Sequence, residues 1–241
     1  YSDYYQYYSS KKTELRLNLS NYCNLNCKYC FQKEKNNYKL TYEQCCKNID
    51  NFLNKNNSLE SFLITISMTS EPFLDLDTIE NIYEYIQHKC LLKLKETLTK
   101  QDIFNFLKIQ TDEEYENILT YKDYYKSAFE SIDKRFISKD LRTKVSNIGI
   151  VTDVNEIKRI NEDIIFTCIS AEKNLYYMWF CTNGTIIPSK RSLNFLKTLF
   201  SSASLGISFD GKTLNRRFKN KKPSYKTVLK NINILKQENI K

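Results

Sequence analysis

The sequence predicts an α/β fold, a parallel sheet that carries its helices on the outside. Two observations predict it. Short apolar or alternating runs at 14–20, 62–68, 175–181 and 205–209 each give way to a segment of helical period. Each run also ends in a polar or Gly-containing stretch, and parallel α/β proteins bind ligands at that carboxyl end of their strands. At 241 residues, 41% of them hydrophobic, the chain is long enough for one large domain with a substantial core.

In strand one, Leu15, Leu17 and Leu19 alternate with polar neighbours, and a cysteine-rich loop follows. Thr41-x-x-Gln44 is a capping box that opens a helix. Cys45, Ile49, Phe52 and Leu53 share its apolar face, which makes Cys45 and Cys46 packing residues, since free cysteine behaves as a small hydrophobe. Strand two ends in Thr69-Ser70-Glu71-Pro72. A helix over 77–90 turns Ile79, Ile82, Tyr83, Ile86 and Cys90 to one side and leaves the single histidine, His88, on its polar side. Residues 91–151 are helical and charged, with amphipathic stretches at 103–107 and 115–118 and no motif tied to chemistry. A connection this long is an insertion with its own structure, a functional lid or an outer decoration.

Order returns at Asp153, which with Glu156 marks a helix start, followed by Ile157, Ile160, Ile164 and Cys168 on one face. Strand three runs into Thr182-Asn183-Gly184-Thr185, and a helix over 189–200 buries Leu193, Leu196 and Phe200. Strand four ends in Asp210-Gly211, and a last helix over 224–238 buries Val228, Ile232 and Leu235. Glycine is scarce, four in all, and Gly184, Gly206 and Gly211 fall in or just after strands, where they permit tight turns or close approach. Residues 1–10 are rich in Tyr and Ser and show no period. A first residue of Tyr1 rather than Met suggests a processed chain or a fragment.

Lys and Arg number 37 against 28 acidic residues, for a net charge of +9. Nucleic acid, an acidic peptide or an anionic surface would each suit that balance. The cations are scattered, however, and a general richness in Asn, Lys, Ile and Tyr explains the balance equally well. No run approaches the roughly 20 apolar residues of a membrane span. With no signal peptide and no spaced cysteine framework, a reducing, cytoplasmic compartment is expected.

The densest chemistry is Cys23-Asn24-Leu25-Asn26-Cys27-Lys28-Tyr29-Cys30. Three thiols on one loop at the carboxyl end of a strand can converge on one metal centre. Cysteine-ligated iron–sulfur clusters use runs of this density, and three ligands leave one iron of a cubane open. A structural zinc site is the alternative, and it closes with a fourth Cys or His. No such residue stands near in sequence. A zinc-bearing, basic module that contacts nucleic acid would hold zinc without sulfide, so metal analysis separates the two.

With Tyr29 before its third cysteine, the stretch resembles the cluster-binding motif of the radical S-adenosylmethionine enzymes. The resemblance covers most of the chain outside 91–151, at four points in the right order. It implies a partial (β/α)6, TIM-like barrel over 1–241, truncated after about four β/α units, with a helical insertion at about 91–151. Cys23, Cys27 and Cys30 match the ligands of a [4Fe–4S] cluster, whose open iron chelates the amino and carboxylate groups of S-adenosylmethionine. Tyr29 would sit near the adenine. Glu71 stands in Thr69-Ser70-Glu71-Pro72, the place of a Gly-Gly-Glu-Pro motif that receives the methionine amino group. Both glycines are replaced here by residues with fewer backbone conformations.

Thr182-Asn183-Gly184-Thr185 resembles the strand-three ending, whose polar residues, Asn183 here, line the cofactor cavity. Ser208-Phe209-Asp210-Gly211 resembles the strand-four ending, with Ser208 on the ribose. Followed by Arg216 and Arg217, that ending leans toward the peptide-modifying, SPASM-type maturase branch. An arginine there would meet the cofactor carboxylate; the plain alternative is a solvated basic start to the last helix. The family continues into strands five and six, and its maturases into a Cys-rich domain with auxiliary clusters.

The implied chemistry is reductive cleavage of S-adenosylmethionine to a 5′-deoxyadenosyl radical that takes hydrogen from a peptide or protein substrate. An external electron donor is implied, and neither nucleic acid nor membrane. No residue is singled out as a catalytic acid or base. A catalytically idle fragment that keeps only the loop is a further alternative.

Overall fold

The computed structural model describes residues 13–32, 38–56, 60–66, 69–201 and 204–240. Residues 1–10 and the expected end of strand two at Met68 lie outside them. The chain divides into two compact units. The first comprises the described residues of Tyr1–Asn57, Ser61–Tyr83 and Tyr176–Lys241, and the second those of Ser58–Glu60 and Glu84–Leu175.

The first unit is α/β. Strands β1 (Thr13–Leu17), β2 (Phe62–Ile66) and β3 (Tyr176–Trp179) form a parallel sheet in that order, with Thr13 opposite Phe62 and Phe62 opposite Tyr176. The middle strand, Phe-Leu-Ile-Thr-Ile, is buried at every position, as a parallel strand covered on both faces should be. Strands β4 (Cys181–Thr182) and β5 (Gly206–Ile207) make a second, two-stranded parallel pairing.

One expected strand, 175–181, is thus two. Phe180 alone separates β3 from β4, so the first half pairs with β2 and the second with β5. Phe180 is fully buried, edge-on to Phe200 at 5.4 Å between ring centres. Strands β1 and β5 end before the expected 20 and 209, at Leu17 and Ile207. Past Leu17 the chain leaves β2 and pairs with itself around the cysteine loop, through Leu40 N–H to Leu19 O at 2.8 Å and a Ser20–Lys39 bridge.

Helix α1 (Tyr42–Lys55) starts at the expected capping box. Gln44 N–H donates to Thr41 Oγ1, and Thr41 N–H donates back to Gln44 Oε1 at 2.9 Å. Cys45 is buried and Cys46 half-buried, and burial pushes the Cys45 thiol up to about 11. Helix α2 (Leu76–Thr97) outruns the expected end at Cys90 because Leu94 extends its buried face and no stop residue intervenes. His88 is exposed.

The second unit takes in the later part of α2 with α3 (Lys100–Leu107), α4 (Asp112–Thr120), α5 (Tyr124–Ser131), α6 (Lys139–Asn147) and α7 (Val154–Glu172). Its limits are wider than the 91–151 over which the sequence pattern loses its strand–helix alternation. Side-chain caps from Thr99, Thr111, Ser138 and Asp153 start four of these helices. Helix α7 is the centre, packed against α4, α5 and α6, and its Ile157, Ile160, Ile164 and Ile165 are buried. The remaining helices, α8 (Lys190–Leu199, capped by Ser189) and α9 (Tyr225–Gln237), belong to the first unit.

Among the described residues no helix is long and apolar enough to cross a membrane.

Candidate functional site

The candidate site residues of the sequence, Cys23, Cys27, Tyr29, Cys30, Glu71, Asn183 and Ser208, all belong to the first unit. The cysteine loop leaves β1 and is held at its neck by the pairing of residues 19–21 with 38–40. Lys39 and Ser20 both reach the buried carboxylate of Asp75, at 2.7 and 3.1 Å. Farther along, the loop pairs with a segment the sequence left unassigned. Asn26 N–H donates to Arg217 O at 2.8 Å, Lys28 N–H to Asn215 O at 2.9 Å, and Leu25 bridges Phe218 in antiparallel sense. Cys30 N–H closes a turn onto Cys27 O at 3.2 Å.

Three strand ends meet this loop. Glu71, after β2, is 1% exposed, and its N–H donates to Tyr22 O at 3.0 Å. Its carboxylate accepts from Thr182 Oγ1 at 2.5 Å, Asn183 N–H at 2.7 Å and Phe73 N–H at 3.0 Å. Burial raises the Glu71 carboxyl above the usual carboxylate range, against the opposing pull of those donors and of Arg216. Its oxygens are committed to protein donors, so the side chain ties the end of β2 to the end of β4.

Asn183 carries the tie onward. Its Nδ2 donates to Asn24 Oδ1 at 2.8 Å and lies 3.6 Å from Cys23 Sγ, while its Oδ1 accepts from the backbone and hydroxyl of Thr185. Asn24 closes the ring by donating to Thr185 Oγ1 at 2.7 Å. Cys23, Glu71 and Asn183 therefore share one network, joined by Asn24. Gly184 makes this turn possible. Its φ is +72°, and a Cβ there would lie 2.8 Å from Ile207 Cγ2, a distance side-chain contacts do not reach.

On the strand-four side, Tyr29 donates its hydroxyl to Asp210. Desolvation of the hydroxyl and the Asp210 hydrogen bond raise the phenol, keeping it a protonated donor. Ser208 N–H extends the β4–β5 pairing onto Thr182 O at 2.9 Å, and its Oγ lies 3.2 Å from Cys181 Sγ. Of the two alternatives for Arg216, the solvated helix start does not hold: it is 8% exposed and precedes α9 by several residues. Its guanidinium stands 3.6 Å from Asp210, and its buried Nε has no hydrogen-bond partner, nor has that of Arg217.

The cysteines differ by place. Burial pushes the Cys90 and Cys168 thiols up to about 12 and raises Cys181 as well, so these remain protonated. Cys23, Cys27 and Cys30 are half-buried on the loop, and no disulfide involves them. Among the described residues no group of three or more His, Cys, Asp or Glu side chains is gathered to hold a metal ion. The loop thus offers the right donor atoms, with one of its thiols tied into the strand-end network.

Sequence reasoning missed Asn24, Asp210 and the backbone of 215–218. Asn24 was visible only as a polar residue inside the cysteine motif, and nothing in residue spacing announces an antiparallel pairing across some 190 residues.

No family model matches the chain. It is similar to an uncharacterized protein of Methanocaldococcus jannaschii, 28% identical over 158 residues, which cover 58% of this chain and 54% of that protein. The chain spans about half the length of the curated relative it matches.

Proposed function

We propose that this chain is the core of a radical S-adenosylmethionine enzyme of the peptide-modifying branch, an incomplete (β/α)6 barrel with a helical insertion. One observation carries the reading. Cys23 of the loop, Glu71 after β2 and Asn183 after β4 share a single hydrogen-bond network at the carboxyl ends of parallel strands. Ligands bind there in this class of fold.

The donor set fits a cluster. Three thiols stand on one loop, and no fourth Cys or His lies on it to close a zinc site. Cys23, Cys27 and Cys30 would hold the [4Fe–4S] group. When bound, cluster and S-adenosylmethionine supply the one-electron chemistry that removes a hydrogen atom from a peptide or protein substrate. This chain's residues position and exclude. Asn183 donates toward Cys23 and fixes the loop against the strand end. Glu71 holds that end in register. Tyr29 is oriented by Asp210, and Arg216 offers a buried cation to an anionic group. An external one-electron donor and a reducing compartment belong to the same reading.

The test is anaerobic reconstitution with iron and sulfide, followed by EPR of the reduced protein with and without S-adenosylmethionine. A cubane signal that shifts on adding the cofactor is expected. A cubane signal that does not move would mark an idle fragment. Zinc in place of iron, with no sulfide, would overturn the reading in favour of a zinc-binding module.

A further inference from the structure

We propose that the basic hairpin paired with the cysteine loop is a docking face for an acidic polypeptide, with Lys212, Lys219, Lys221 and Lys222 as its ion-pairing residues. The inference rests on the proposed function only in calling that polypeptide the substrate.

Residues 211–223 hold six cations, Lys212, Arg216, Arg217, Lys219, Lys221 and Lys222, and no carboxylate. Residues 216–224 fold into a tight hairpin, which Lys212 precedes. Phe218 N–H donates to Lys222 O and Lys221 N–H to Phe218 O, both at 2.9 Å, and Arg217 bridges Pro223. The left-handed backbone of Lys221, φ +66°, makes the turn. One arm of this hairpin, 215–218, is hydrogen-bonded to the cysteine loop at residues 25–28, and its lysine-bearing turn follows at the Leu25 end, where Lys219 lies over the Tyr22 ring. All four lysines are exposed, as is Lys28 on the loop, and among the described residues no carboxylate pairs with any of the five. Holding so many like charges together costs stability through self-repulsion, which an anionic partner relieves.

The chemistry favours a polypeptide over a nucleic acid. Arg216 and Arg217 are the inward cations, and the exposed ones are lysines, point charges that pair with an anionic group without fixing its geometry. Lys219 covers one face of the Tyr22 ring at 4.6 Å. Beside the lysines stand exposed apolar groups: Phe31 just past Cys30, Leu214 next to Asn215, and Phe209 next to Asp210. Carboxylates on lysines with apolar side chains between them describe an acidic, amphipathic segment.

Fluorescence anisotropy with a fluorescein-labelled peptide of Glu, Leu and Gly tests this, against its Lys-for-Glu counterpart and a labelled single-stranded RNA. The acidic peptide should bind, more weakly as salt rises. Reversal in K219E/K221E/K222E should weaken it at least about tenfold and flatten the salt dependence, and K221E/K222E, which spares the contact with Tyr22, should do so in part. K134E/K173E, on the helical unit, should leave affinity within about twofold. Circular dichroism confirms that the variants fold.

No peptide binding, an affinity indifferent to the hairpin reversal, or tighter binding of RNA through the same lysines would each overturn the proposal. EPR of the reconstituted triple variant separates the two readings. Lost peptide binding with an intact cluster signal is the expected result for that variant. Wild-type peptide binding without any cluster would leave the docking face standing and remove the enzyme beneath it.

Discussion

In the helical unit Lys95 reaches Glu162 and Asp163 at 2.9 and 2.8 Å, Lys144 joins Asp140 and Asp163, Lys100 pairs with Asp112, and Arg135 with Asp133. In the sheet unit, among the described residues, the lysines at 211–223 face no carboxylate, and two arginine Nε atoms are buried without partners. The helical unit pairs Lys95, Lys144, Lys100 and Arg135 within itself, and its buried side-chain atoms without partners among the described residues, at Gln87, Asn161, Ser170 and Asn174, are neutral oxygens rather than cations. The sheet unit gathers carboxamide, carboxylate and hydroxyl groups around a thiol loop and leaves cations uncompensated beside it. Chemistry that serves only folding tends to be satisfied internally, and chemistry left open is where a ligand or partner is to be sought.

The contrast can be tested because the single tryptophan, Trp179, lies in β3 and reports the sheet unit. Far-UV circular dichroism reports the helices of both units, so that the component the tryptophan does not follow is the helical transition. The largest expected effect is functional. Cys27→Ala should abolish cluster-dependent formation of 5′-deoxyadenosine while both unfolding transitions stay in place. Unchanged product formation would remove the loop from the proposed site.

Next comes Gly184→Ala. A positive φ and a 2.8 Å approach to Ile207 make a loss of about 2–4 kcal/mol from the tryptophan transition the expectation. An equal loss in a separately resolved helical transition would show that the two units are not distinct in energy.

Two substitutions of similar size probe each unit in turn. Asn161 is fully buried and donates to the carbonyls of Ile118, Leu119 and Tyr121 at the end of α4, so Asn161→Ala should cost about 1–3 kcal/mol in the helical transition. Glu71→Gln turns one acceptor toward its three donors into a donor, with a loss of about 1 kcal/mol or more in the tryptophan transition. It should also alter the pH profile. The folded Glu71 carboxyl is raised by burial, so its contribution is full below the unfolded carboxylate range and is lost as pH rises through the raised value. Wild-type stability should decline across that window and the variant should lack that component; an unchanged slope would place the titration elsewhere.

The smallest effect belongs to Lys158→Ala. Its exposed pair with Glu116 should contribute no more than about 0.5 kcal/mol by denaturant titration. A larger loss would mean that the helical unit depends on its surface pairs.

The legible parts of the fold were local ones. The capping box at Thr41 and Gln44 and the caps at Asp153 and Ser189 occupy the expected positions because each needs only a few consecutive residues. Thr111-x-x-Glu114 was equally readable as a cap and would have placed a helix inside the unassigned stretch. The break at Phe180 was hidden because an apolar run does not say which neighbour each half will pair with. At the site, the cysteines and the polar strand ends stood out by residue type. Which of them touch depends on pairing between distant segments, and so Asn24 and Asp210 emerged only from the fold.

Tyr83 and Tyr176 are the last residue before the helical segment and the first after it, and their rings meet edge to face at 5.9 Å. The chain therefore leaves the sheet unit and returns to it at nearly one point. For the folding pathway this means that the register of β2 on β3 closes across the whole of Glu84–Leu175. Closure entropy grows only with the logarithm of loop length, but distant pairings form slowly, and a helical segment rich in local contacts folds ahead of them. The middle of the sheet is its last seam to zip, and the aromatic pair is the clasp. A short linker joining Tyr83 to Tyr176 would shorten that search and speed refolding of the tryptophan-reporting sheet.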